Sequence, residues 1–171
     1  MKQCLIWLLA TMITQTAIAQ RNKYYTAMPH DSGMIYFIKP VEMKVEASHD
    51  DFYVDWAANY TTTSKCRSNV YMNFSIFTKN KPADADTAYI ILNSGRTITA
   101  ANFITEKRKK GIWKLRYTGN VELADVKNIF NEQGELLFMV TIDNQKYFLH
   151  PASKWKKTTD FMEDVILMIC P

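Results

Sequence analysis

Two short stretches set an imidazole beside carboxylates, His30-Asp31 and His49-Asp50-Asp51. A general base or a metal site needs this combination, because the carboxylate orients the ring and makes its other nitrogen a better acceptor or ligand. If loops brought both stretches together, His30, His49, Asp50 and Asp51 would form the core of a small hydrolase or a metal-dependent centre. No His-x3-His, Cys-x2-Cys or carboxylate-rich loop spacing fixes such a geometry. Polar turns bordering strands generate the same dipeptides, so the preferred reading has no metal, no cofactor and no catalytic residue.

Nucleophilic chemistry is represented by Cys66, which Lys65 and Arg67 flank. Cations on both sides would favour the thiolate. A disulfide would abolish that reactivity, and the start of the chain argues for one. "MKQCLIWLLATMITQTAIAQ" has a cation at Lys2, an apolar run of about ten residues and Ala17-Ile18-Ala19 before Gln20, which is the pattern of a cleaved export signal. The run is well short of the roughly 20 residues a permanent membrane helix needs. Residues 1–19 are therefore read as a signal peptide, and the product as exported, periplasmic or secreted. Two cysteines remain, Cys66 and Cys170, and an oxidising compartment would join them. A bridge closing a loop of about 100 residues is worth roughly 4–5 kcal/mol in the chain-entropy model.

Other signals are weaker. Ser94-Gly95-Arg96 reads as a turn and not as a nucleophile elbow, and the glycines after the leader are isolated, so no phosphate-binding loop is expected. Met28, Met34, Met43, Met72, Met139, Met162 and Met168 are the soft ligands of a copper(I) site, but most fall on apolar phases of strands or helix and read as core filler. Of the two glycosylation sequons, only the one at Asn59 falls in a loop; Asn73 falls inside a strand. A formal net charge of +4 does not mark a nucleic-acid binder.

The most concentrated charge is "EKRKKGIWKLRY", where Lys107, Arg108, Lys109 and Lys110 precede Gly111 and a strand carrying Lys114 and Arg116. Read as a strand, "IWKLRY" sends Trp113, Leu115 and Tyr117 inward and Lys114 and Arg116 outward. The four cations then sit at a hairpin tip. Such lysines either dock something anionic or blunt an edge against unwanted pairing.

The elements that would hold these residues follow from periodicity. Residues 20–33 are polar and turn-rich and read as a flexible N-terminal arm; residues 34–171 read as a single domain. "VEMKVEA" alternates, with Pro40 separating it from "MIYFIK". "FYVDW", "NVYMNFSIFT", "AYIIL" and "IWKLRY" are further strands. "ELLFMVTI" is apolar on both phases, and Asp143-Asn144 turns it into "QKYFLH". Helical period appears over 121–132, with Asn120 as cap and Gly134 as stop, and over 153–169, where Ser153 can cap and Trp155, Thr159, Met162, Ile166 and Ile169 share a stripe. The expected fold is α+β: a mostly antiparallel sheet or sandwich with two helices packed on it.

With no assembled nucleophile, base and oxyanion donors, the expected function is non-enzymatic. The chain reads as an exported binding or inhibitory module, a monomer, acting on a protein or an anionic envelope component. Its contact face would comprise Lys107, Arg108, Lys109, Lys110, Lys114, Arg116 and the "YTTTSK" loop. The His30/His49/Asp50/Asp51 enzyme is one alternative, and a structural accessory subunit held by an exposed sheet edge is another.

Overall fold

The structure is a computed structural model and describes residues 23–30, 33–46, 48–61, 69–131 and 136–169. Residues 1–19, read above as a signal peptide, and Cys66, Cys170 and Gly134 lie outside these residues. The fold is α+β, a nine-stranded antiparallel sheet with two helices. The strands are β1 (Tyr25–His30), β2 (Gly33–Val45), β3 (Asp51–Thr61), β4 (Asn69–Thr78), β5 (Thr87–Leu92), β6 (Thr97–Lys107), β7 (Trp113–Glu122), β8 (Phe138–Ile142) and β9 (Gln145–Pro151). Helix α1 (Leu123–Asn131) follows β7, and α2 (Trp155–Ile169) follows β9.

The spatial order is β1-β2-β3-β4-β7-β6-β5-β8-β9, and β9 also pairs with β2. Eight strands, β2 to β9, thus close into a ring, while β1 is an extra strand on the upper part of β2. Alternation along each strand fills the ring with one phase. Phe52, Val54 and Trp56 of β3, Met72, Phe74 and Ile76 of β4, and Leu115 and Tyr117 of β7 are all fully buried. Their rings form a file across the interior: Tyr117 stacks on Phe74 (centroids 4.9 Å apart), Phe74 on Phe52 (5.2 Å), and Tyr147 leans on Phe52 (6.2 Å). Further along β7 small residues let the wall close in, with Gly119 beside Ala100 of β6. A Cβ on Gly119 would lie 3.3 Å from side-chain atoms of both Ile90 and Ile98, so a larger residue there would force these side chains to shift by a few tenths of an ångström.

The ring has two unlike ends. At the helix end, Phe130 of α1 and Trp155 of α2 meet Trp56, with centroids 5.3 to 6.0 Å apart, and plug the interior. Arg96, in the β5–β6 turn, bridges Glu122 and Asp125 at 2.7 Å each and ties that turn to the first turn of α1. The hydrogen bond to Arg96 holds the Glu122 carboxyl below its usual range. The other end, here the hairpin end, carries the β6–β7 and β8–β9 turns and the segment 79–86, which crosses from β4 to β5 over the intervening pair β7–β6. Ala83 N–H donates to the Asp143 carboxylate (2.7 Å), and Ala85 is buried. Asp143 and Asn144 both take left-handed backbone, as their turn requires.

Four local expectations change. Segment 20–33 contributes a strand instead of a loose arm: Tyr25–His30 pairs with β2, and Phe161 of α2 stacks on Tyr24 and Tyr25 (5.7 and 4.9 Å). Those partners are remote in sequence, so local polarity misleads. Pro40 does not separate two strands, because β2 runs through it with a bulge between Ile38 and Val41. On its other edge β2 pairs β1 up to Ile38 and β9 only from Met43, so Pro40 falls where no ladder partner needs its missing N–H. Asn120 does not cap α1; it lies in β7, paired with Tyr71, and strand passes directly into helix at Leu123. Trp113 is half-buried instead of inside, because it is the first residue of β7 and stands at the rim.

Two predictions follow from the interior. Phe74→Ala removes the middle ring of the file and should cost about 3–5 kcal/mol in urea unfolding. Burial, and next the charges of Asp50 and Tyr117, raise the Tyr147 phenol well above its ordinary range. Burial also raises Tyr117, with the nearby Asn102 side chain offsetting part of the rise. A phenol raised in the folded state is neutral there above pH 10 while the unfolded phenol ionises, so stability present below about pH 10 falls as pH increases beyond it. Absorbance titration of the nine tyrosines should show Tyr117 and Tyr147 ionising only as the protein unfolds, and Tyr147→Phe should flatten the alkaline decline.

Candidate functional site

The ring decides which of the sequence candidates can meet. His30 ends β1 beside Gly33 at the helix end, while Asp51 opens β3 at the hairpin end. The eleven residues of β3 separate these ends by about 33 Å at roughly 3.3 Å per residue. His30 therefore does not join His49, Asp50 and Asp51 in one site. Within the second stretch, Asp50 N–H donates to Ser48 Oγ (3.1 Å), a local turn bond. Among the described residues no group of three or more His, Cys, Asp or Glu side chains is placed to hold a metal ion. The third histidine, His150, lies 3.6 Å from the Glu46 carboxylate, a contact between β9 and the end of β2 that sequence reasoning missed.

The basic stretch builds the tip of the β6–β7 hairpin. Arg108 N–H donates to Ile112 C=O (2.6 Å), and Lys109–Gly111 forms a single 3-10 turn. Gly111 has φ +73°, which suits glycine, but Lys110 has φ +63°, which costs a residue with a Cβ about 1 kcal/mol. Trp113 lies between Thr78 of β4 and Lys107 of β6. The Lys81 ammonium is 5.6 Å from the centre of its ring and that of Lys107 is 5.9 Å away. Lys81 comes from the segment that crosses the barrel mouth, so only the tertiary structure adds it to the cluster.

The cations divide into engaged and unengaged sets. Glu106 contacts Arg108 (2.8 Å) and Lys114 (3.5 Å). Lys79, Lys81, Lys107, Lys109 and Lys110 have no carboxylate partner among the described residues. These five lysines line the arc of the rim formed by β4, β7 and β6. Acidic residues flank this arc: Asp51 opens β3, next to β4, and Asp143 lies in the β8–β9 turn, where it accepts from Ala83 N–H.

Lys114 and Arg116 point outward as expected, yet their side chains are only 18% and 21% exposed. Arg116 Nη2 lies 2.7 Å from both oxygens of Asp55, whose side chain is 9% exposed, and Nη1 donates to Ser75 Oγ (2.8 Å). Asn73 Nδ2 donates to Asp55 Oδ1 (3.0 Å), and the Phe103 ring covers the guanidinium at 5.5 Å. Asp55 Oδ2 accepts no well-aligned hydrogen bond, so its contact with Arg116 is chiefly ionic. Arg116 thus ties β7, β4 and β3 together on the outer wall. Next to it a groove of about 370 Å³ runs over Tyr53 and Phe77, which meet edge to face at 5.7 Å, with Pro40 as the far wall. Burial, and secondarily the charges of Glu42 and Asp51, raise the Tyr53 phenol.

The "YTTTSK" loop does not extend the basic face. Residues 62–68 lie outside the described residues, and the end of β3 that leads into them is at the helix end, across the barrel from Lys107–Lys110. Asn59 lies within β3 and not in a loop. Comparison with family models, curated proteins and solved structures finds no match to this chain.

Arg116→Met leaves the Asp55 carboxylate buried beside a thioether and should cost about 2–4 kcal/mol in urea unfolding. Replacing both partners, Arg116→Met with Asp55→Leu, should recover most of that loss, because no charge then stays unpaired.

Proposed function

We propose that this protein is an exported, non-catalytic binding module whose cationic barrel rim engages an anionic surface of the cell envelope. The leader supplies the route, and the rim supplies the contact. One observation carries the reading: five lysines with no carboxylate partner among the described residues gather at one end of a filled barrel, two of them, Lys81 and Lys107, over a half-buried tryptophan. A filled barrel offers no interior for a substrate, so what it presents to a partner is its rim and outer wall. Trp113 holds two ammonium groups by cation–π attraction, each worth about 0.5–1 kcal/mol at an exposed site, and so concentrates charge at one place. Each lysine near an anionic lipid surface contributes about 1 kcal/mol, within a screening length of about 10 Å at 0.1 M salt.

The sheet is poorly suited to the accessory-subunit alternative. Its edge strand β1 has six residues, includes Pro29, and begins beside Phe161 of α2. Strand addition needs a longer run of unprotected backbone.

Sedimentation with vesicles tests the proposal. The protein should bind phosphatidylcholine vesicles containing phosphatidylglycerol and ignore pure phosphatidylcholine. Lys107→Gln, Lys109→Gln and Lys110→Gln combined should weaken binding about a hundredfold, and 1 M salt should abolish it. Wild-type affinity in the triple variant would remove this surface from consideration.

A further inference from the structure

Away from the rim, a second concentration of positive charge lies along the seam of the barrel. β2 changes partners there, from β1 above the bulge to β9 below it, and the gap is flanked by the residues preceding β1 and by the start of α2. The result is a groove of about 280 Å³ in which Lys23, Lys39, Lys154 and Lys157 stand around a floor of Pro40 and Val41. Three separate chain segments deliver these lysines, and among the described residues no acidic side chain lines the groove.

The walls are held in place. Lys39 N–H donates to Tyr24 C=O at 2.8 Å, Tyr24 stacks on Phe161 at 5.7 Å, and the Lys23 ammonium lies 5.6 Å from the Tyr24 ring centre. Among the described residues no carboxylate pairs with Lys23, Lys154 or Lys157. The first turn of α2 also lacks an acidic residue, although the positive end of a helix dipole favours one. Three of the four groove lysines, Lys23, Lys154 and Lys157, thus stand close together with no carboxylate partner among the described residues.

We infer that the seam groove binds a small phosphate monoester. A dianionic phosphoryl group presents three acceptor oxygens and close to two negative charges, enough to satisfy several ammonium groups at once. A monocarboxylate offers half the charge. The groove's volume, at the lower end of that of ligand sites, suits a compact molecule such as a triose or sugar phosphate, whose carbon skeleton can rest on Pro40 and Val41. Because lysines act as point charges and not as planar forks, they fit a tetrahedral group approached from several sides. The site is independent of the lysines at the rim.

Calorimetric titration of the purified protein with glycerol 3-phosphate, inorganic phosphate and glycerol, at one ionic strength held with sodium chloride, tests this. Both phosphates should bind saturably at one site and raise the unfolding temperature, and glycerol should do neither. Binding of glycerol 3-phosphate should strengthen from pH 5 to pH 7.5 as its second proton, with a pKa of about 6, is lost. Lys154→Gln with Lys157→Gln, and separately Lys23→Gln, should weaken it at least about tenfold, while the triple variant of the rim should bind as the wild type does. The inference is overturned by heats no larger than those of chloride at equal ionic strength, or by equal losses in the seam and rim variants. Attachment to phosphatidic acid vesicles without binding of the soluble monoester would overturn it as well.

Discussion

The fold depends on one strand serving two neighbours along a single edge. β2 hands that edge from β1 to β9 across the bulge at Ile38–Val41, and the ring closes through only three residue pairs, Met43–Pro151, Lys44–His150 and Val45–Leu149. A proline at the handover removes a donor that would have no acceptor there. Closure leaves no open edge among the eight ring strands, and the ninth is short and begins under a helix. The seam where the handover occurs is also where the chain leaves a groove.

Closure dictates what the interior can contain. An eight-stranded ring is just wide enough for its own side chains. Here the space is taken by the file from Tyr117 through Phe74 and Phe52 to Tyr147, and by the plug of Trp56, Phe130 and Trp155. Polar groups inside are few and are kept neutral by burial, as the two phenols are. Charge is pushed to the outer wall and the ends. On the wall it is consumed structurally, since Arg116 and Asp55 satisfy each other across three strands. At the hairpin end Lys79, Lys81, Lys107, Lys109 and Lys110, and along the seam Lys23, Lys154 and Lys157, have no carboxylate partner among the described residues, and the two proposed contacts lie there.

Much of this was legible in the chain. Period-two alternation located the strands from Phe52 to Tyr117 and their inward phase, and the Asp143-Asn144 dipeptide located a turn whose backbone is left-handed at both residues. The tip at Lys107–Gly111 was legible too, because a run of cations ending in glycine has few places in a sheet. The pairing of Arg116 with Asp55 was not, since residues 61 positions apart in sequence meet only once the order of β3, β4 and β7 is known. Lys81 joined the rim cluster for the same reason, through a segment that crosses two strands.

The sequence by itself determined the local grammar: an α+β composition, the two helices, the inward and outward phase of most of the strands it marked, and the presence of a dense basic tip. Those properties depend on neighbours within a few residues, so the order of side chains along the chain suffices to define them. Only the tertiary structure decided that the sheet closes on itself, that a polar leading segment becomes a strand, that His30 and His49 stand at opposite ends, and that four lysines from three segments share one groove. Each of these depends on register and ring closure, which are set by packing between residues far apart in the chain and leave no periodic mark in it.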